Sequence, residues 1–276
     1  HNNLAAVKGT PYRITGPEGT GIDTLNSIER VQFSDQTITL GTPPVDPVVT
    51  FTGGNGDDNA AGGNNNDTLD GQAGNDTLAG RAGDDTIYGG EGDDTLIGDE
   101  GTDQLWGQGA NDYVYGGEGN DILGGGEGTD QLWGQGGDDQ AYGNEGDDLI
   151  GGGDGNDQLW GQDGNDQVFG NTGNDLIGGG TGNDRLWGQE GNDEVFGNEG
   201  DDEIGGGEGV DLLWGQDGND AIYGGSGADT LDGGAGNDAI WGQEDNDVLY
   251  GGIGDDILGG GEGDVECLLA TKLGGA

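Results

Sequence analysis

The sequence predicts an all-β protein built as a parallel β-solenoid of about 12 coils of 18 residues, and three observations carry that prediction. From Gly53 to Leu268 the chain divides without an insertion into 24 nonapeptides, of which GGEGDDTLI (89–97) and GQDGNDQVF (161–169) are representative. Position 1 is glycine in all 24, position 4 is glycine except at Asn65, Ala110 and Asp245, and position 6 is aspartate in 23. Position 8 is Leu, Ile or Val apart from Ala60, Ala141 and Cys267.

Each element of the unit follows from these residues. Glycine tolerates positive φ, so glycine at positions 1 and 4, and often at 2, marks positions 1–6 as a turn. Positions 7–9 then form a very short strand in which position 8 points inward and positions 7 and 9 outward. One core side chain per unit cannot hold a unit in isolation, so units must stack, two turns and two strands completing a coil. At about 4.8 Å per strand step the rod is about 58 Å long. Residues 41–52 read as a stiff linker, since GTPPVDPVVT (41–50) holds three of the five prolines. The repeats at 53–268 contain no proline, which suits continuous backbone pairing. Residues 269–276, LATKLGGA, form a C-terminal tail.

Composition says what must hold the rod together. Of 276 residues 71 are glycine, 29% are hydrophobic, and 56 Asp+Glu face 6 Lys+Arg for a formal charge of -50. A free chain of that kind is expected to stay disordered until its charge is cancelled. It repels nucleic acid and anionic membranes and attracts cations or basic partners. Collagen is excluded by the five prolines and the lack of a three-residue period. The single Cys267 cannot form an internal disulfide. No apolar run of about 18 residues offers a transmembrane span. The opening HNNLAAVKGT, in a chain without methionine, has no signal-peptide pattern, and the chain reads as a fragment or processed piece.

The position-6 aspartates are the natural sites of charge cancellation. An 18-residue coil aligns Asp58, Asp76, Asp94, Asp112, Asp130, Asp148, Asp166, Asp184, Asp202, Asp220, Asp238 and Asp256 on one edge. It aligns Asp67, Asp85, Asp103, Asp121, Asp139, Asp157, Asp175, Asp193, Asp211, Asp229 and Asp247 on the other. A hard divalent cation fits between successive members. Carboxylates and turn carbonyls are calcium ligands, and one His and one Cys offer no softer set. One Ca2+ per pair of coils on each edge gives about 21 ions, roughly +42 against -50. Position-5 Asn and Asp support the turn. No catalytic constellation is expected: His1 and Cys267 have no partners, the GxGxxx strings precede no helix, and sequons such as Asn66-Asp67-Thr68 arise from the repeat.

The pattern GGxGxDxUx, with U a large aliphatic, resembles the haemolysin-type calcium-binding nonapeptide of the RTX proteins over residues 53–268. The resemblance implies a parallel β-roll in which position-6 carboxylates and turn carbonyls form the calcium shells. It also implies one-step export of a chain that is unfolded in low cytosolic calcium and folds outside, at the bacterial surface or free of it. Block 24 departs from the pattern: Val265 stands at position 6, so its site is lost, and Cys267 takes the core slot. The tail LATKLGGA is shorter than the family's secretion signal, as in a truncated or atypical chain. The stretch DTLNSIERVQFSDQTITL (23–40) resembles the flank that follows such an array, with Val31, Phe33, Ile38 and Leu40 buried in short strands. Residues 1–40 are therefore expected to be a short β flanking segment with another array before it.

A second period overlies the first. Trp106, Trp133, Trp160, Trp187, Trp214 and Trp241 recur every 27 residues at position 9, and nine residues after each comes Tyr115, Tyr142, Phe169, Phe196, Tyr223 or Tyr250. The next block has glycine there (Gly124, Gly151, Gly178, Gly205, Gly259), with Asp232 the exception. Successive tryptophans should alternate between sheets, and same-sheet tryptophans should recur about 14 Å apart. The rings either lie over neighbouring glycines as shields or form packing surfaces for other copies, with carbohydrate stacking as a third use. Two functions fit the sequence. One is a calcium-folded, non-enzymatic, secreted structural protein that self-assembles into a filament, sheath or S-layer-like coat, or extends an adhesin. The other is the calcium-folding export module of a secreted hydrolase or toxin.

Overall fold

The computed structural model describes residues 47–263 continuously and, outside them, the strands Tyr12–Thr15, Ile22–Leu25, Arg30–Gln32, Thr37–Thr39 and Glu266–Leu268. The chain divides into two units, His1–Pro47 and Val48–Ala276. In the first, Tyr12–Thr15 pairs antiparallel with Ile22–Leu25, and Arg30–Gln32 with Thr37–Thr39. The expected burial of Val31, Phe33, Ile38 and Leu40 lies outside the described residues, as do His1, Val265, the Cys267 side chain and the tail 269–276.

The second unit is a parallel β-solenoid made of two sheets. One has 13 strands, from Thr50–Thr52 to Glu266–Leu268, and the other 12, from Asn59–Ala61 to Ile257–Glu262. Successive strands alternate between the sheets, and each pairs in parallel with the strand 18 residues on, as in Leu105↔Leu123 and Leu132↔Ile150. No helix occurs among the described residues. The 21 position-8 side chains from Leu69 to Leu249 form one continuous core, each with 0% exposure. Ala60 and Leu258 are partly buried at its ends. Val49 and Phe51 also pack against the core, and Thr50–Thr52 pairs with Thr68–Asp70, so the solenoid takes in the last residues of the stretch read as linker.

The strands are longer than the three residues expected from the glycine pattern. From Thr68–Ala73 to Ala239–Glu244 each runs six residues, positions 7–9 and then 1–3 of the next block, which leaves positions 4–6 as the turn. The reason lies at position 2. From Gln72 (φ 76°) to Gly261 (φ 82°) every position-2 residue is left-handed, and its non-glycine members are only Gln, Asn, Arg and Asp. One left-handed residue bends the strand without taking its neighbours out of the ladder. Pairing therefore includes positions 7, 8, 9, 2 and 3 and skips position 1, as in Asp70↔Tyr88 followed by Gln72↔Gly90. β-Branched residues, which are outliers at positive φ, are absent from the slot. From Gly74 to Asp245 position 4 is left-handed as well, and Ala110 (φ 78°) and Asp245 (φ 73°) hold that conformation without glycine's freedom.

Candidate metal centre

Each position-6 aspartate sits at the end of a turn, locked by its own backbone. The Asp139 carbonyl accepts the Gln158 N–H at 2.8 Å, while the Asp139 N–H donates to Asp157 Oδ1 at 2.8 Å. Repeated every 18 residues, this N–H to Oδ1 bond runs along both edges, from Asp58 to Asp256 and from Asp67 to Asp247, with lengths such as 2.6 Å (Asp67 to Asp85) and 3.1 Å (Asp238 to Asp256). The structure thus places the aspartates in the two expected ladders. They are buried: those from Asp67 to Asp247 are 0–3% exposed.

The second carboxylate oxygen has nothing to bond. Among the described residues, 20 aspartates from Asp76 to Asp247 have a buried Oδ2 without a hydrogen-bond partner. The first two differ, because Gly54 N–H donates to Asp58 Oδ2 at 2.9 Å and Gly63 N–H to Asp67 Oδ2 at 2.6 Å. Asp256, near the other end, is only half-buried.

Position-1 glycine exists for this carboxylate. Gly152 is not left-handed, yet a Cβ on it would collide with Asp157 Oδ2 and lie 2.8 Å from the Gly170 carbonyl oxygen. The same pair of oxygens, one carboxylate and one carbonyl from the next coil, converges on the niche at Gly125 and Gly179. Sequence reasoning assigned position 1 to turn conformation; its role is to leave space beside an anion. The periodic co-occurrence of Gly and an Asp five residues later carried that signal.

Burial without a counter-charge shifts these groups strongly. Desolvation pushes Asp112 up to about 7, Asp139 up to about 8 and Asp157 up to about 6, from an ordinary 3.8. Hydrogen bonds from the preceding coil oppose the shift, and neighbouring aspartates of the ladders and turns add to it. No group of three or more His, Cys, Asp or Glu side chains converges among the described residues, so a cation here needs backbone carbonyls to complete its shell. The donor set is all oxygen, which fits a hard cation such as calcium. Position-5 side chains do something else: Asp147 Oδ1 accepts both the backbone N–H (2.8 Å) and the side-chain Nδ2 (2.9 Å) of Asn165, stapling exposed turns together.

The aromatic residues lie on the outer faces in the expected alternation. Along each sheet the order is Tyr or Phe, Trp, Gly, as in Phe169↔Trp187↔Gly205. The rings are half-buried, apart from the exposed Tyr250. Five of the six indoles reach over the glycine of the next strand: Trp106 Cε3 is 2.5 Å from where a Cβ of Gly124 would stand, and Trp187 Cδ1 2.9 Å from that of Gly205, while Trp214 is registered with Asp232. Phe169–Trp187, Phe196–Trp214 and Tyr223–Trp241 are stacked, with centroids 5.1, 4.6 and 5.0 Å apart.

No curated protein matches the chain in sequence. The family model described as the RTX calcium-binding nonapeptide repeat, in four copies, matches at residues 52–87, 88–123, 124–159, 142–177, 169–204, 178–213, 205–240 and 232–264. With that model matching residues 52–264, and with two ladders of buried carboxylates whose oxygen donors suit a hard cation, the chain belongs to the RTX calcium-binding repeat family.

Proposed function

We propose that this protein is a secreted, non-enzymatic structural rod that folds on calcium and self-associates through its aromatic faces into a surface filament or coat. The observation that carries the calcium step is the set of 20 buried Oδ2 atoms without partners. Leaving buried polar atoms unmet costs free energy, and leaving them charged costs more, so the fold requires a cation or a proton at each. The aspartates from Asp76 to Asp247 hold the ions, with carbonyl oxygens of the glycine-rich turns beside them. Calcium supplies charge neutralisation there. The residues themselves orient the carboxylates through the Oδ1 bonds and exclude water. Extracellular modules of this kind work at about 0.1–1 mM calcium, and a cell keeping calcium lower would export the chain unfolded.

The assembly step is supported by the same 27-residue period on both sheets, which spaces tryptophans regularly along each face. Part of every ring remains accessible, and rows of aromatic surface favour association. Sedimentation velocity in millimolar calcium and then in chelator tests both steps. Large assemblies that dissolve on chelation are expected. A compact calcium-bound monomer would refute the assembly and favour an export module of a larger enzyme or toxin. Replacing Trp160 and Trp187 by serine should abolish association and leave folding intact; loss of folding would assign the rings to shielding alone.

A further inference from the structure

Between Trp106 and Tyr250 the outer face of the 13-strand sheet departs from its aromatic pattern once. Where the 27-residue period puts glycine after tryptophan, Asp232 stands between Trp214 and Tyr250, the residues registered with it on the two adjacent strands. We propose that these three side chains form a notch for an organic cation, an alkylammonium or guanidinium group.

At the glycine positions such a gap is closed, because Trp106 and Trp160 lie over Gly124 and Gly178 of the same sheet. Asp232 carries a Cβ there, so Trp214 cannot lie across it in the same way. Trp214 stacks on Phe196 with centroids 4.6 Å apart and planes inclined by 6°, as Trp187 does on Phe169 and Trp241 on Tyr223. That separation equals a strand step, so the stack runs along the ladder and the opposite face of Trp214 looks onto the Asp232 strand. Tyr250 bounds the other side and is 37% exposed. Two strand steps separate Trp214 from Tyr250, about 9.6 Å, so a cation midway lies about 4.8 Å from each, within the ~6 Å reach of a cation–π contact.

The floor supplies the charge. Asp232 accepts the backbone N–H of Gly234, and burial raises its pKa. Within residues 47–263 the two cationic side chains are engaged elsewhere: Arg81 donates to the Gly62 carbonyl, and Arg185 pairs with Glu203 at 3.4 Å. A half-buried anion between two aromatic rings is the donor set for a weakly hydrated organic cation.

The test uses the full chain saturated with calcium at physiological ionic strength, titrated with tetramethylammonium chloride and with acetyl-arginine amide while binding is followed by ligand NMR. Asp232→Gly, which restores the usual glycine, and Asp232→Asn should each weaken both probes at least tenfold, with calcium content and thermal midpoint unchanged. Glu194→Gln, which removes an exposed charge elsewhere on the same sheet, should change neither. Tighter binding of an arginine-containing peptide than of the amide would place the cation on a protein partner, and equal binding on a free amine. Equal binding by Asp232→Gly and the parent would overturn the proposal in favour of general attraction to the -50 charge. Displacement of the probes by excess calcium, or preference for a neutral methyl glucoside, would overturn it as well.

Discussion

Removing calcium should convert this protein into a pH-driven folder with the opposite preference from most acidic proteins. Burial raises the folded-state pKa of the ladder aspartates from 3.8 to about 6 in Asp157, about 7 in Asp112 and about 8 in Asp139. A raised folded value means the metal-free fold favours the proton-bound carboxyl. The stabilisation is complete below about pH 4, the unfolded value, and is lost as pH rises through 6 to 8. A shift of about 2 units corresponds to about 3 kcal/mol, and halving it for solvent screening at the turn edges leaves about 1.5 kcal/mol for each charged group. Ten such groups already match the 5–15 kcal/mol by which domains are stable, and 20 aspartates carry an unmet Oδ2. In chelator, far-UV circular dichroism should therefore report β-structure near pH 5 and an unfolded chain at pH 8, with a broad transition because the ladders titrate together. Calcium should reverse the order, since it displaces protons and binds the ionised form. A chelated chain as fully folded at pH 8 as at pH 5 would refute the claim that these carboxylates are buried without partners.

Three substitutions probe the parts separately. Gly152→Ala puts a methyl group into Asp157 Oδ2 and beside the Gly170 carbonyl, and should raise the calcium concentration at the folding midpoint while removing about one ion from the bound count; an unchanged midpoint would remove the niche from the argument. Ala110→Gly relieves a non-glycine residue at φ 78° and should stabilise the calcium-bound rod by about 1 kcal/mol in calorimetry. Replacing Asp157 and Asp175 by alanine leaves the Asp139 and Asp157 N–H groups without acceptors at a cost of about 1–3 kcal/mol each and should weaken calcium binding along one edge, as read by isothermal titration; unchanged affinity and stability would count against their role as ligands.

The coil was legible in the sequence because it rests on period alone. Apolar residues at position 8, from Leu69 to Leu249, can be buried together only if every block contributes one rung, and an 18-residue coil is the shortest closure that gives two opposed sheets. The two aspartate ladders followed from the same count, since residues 18 apart must stack. Three features emerge only once the coils are stacked. Left-handed position 2 extends strands through residues that read as turn, and only backbone pairing between coils, such as Gln72↔Gly90, reveals that they are strand. The position-1 glycines look like turn formers until the Asp five residues later is seen against their Cα atoms. The posture of the indoles depends on what the next strand presents, glycine beneath Trp160 and a carboxylate beside Trp214. Period, register and the identity of the charged edge are thus properties of the chain read along its length, because a repeat fixes which residues coincide. How close two backbones come, which oxygen is left without a partner and which ring finds room to lie flat are decided across the coils, where atoms 18 residues apart share a few ångströms of space.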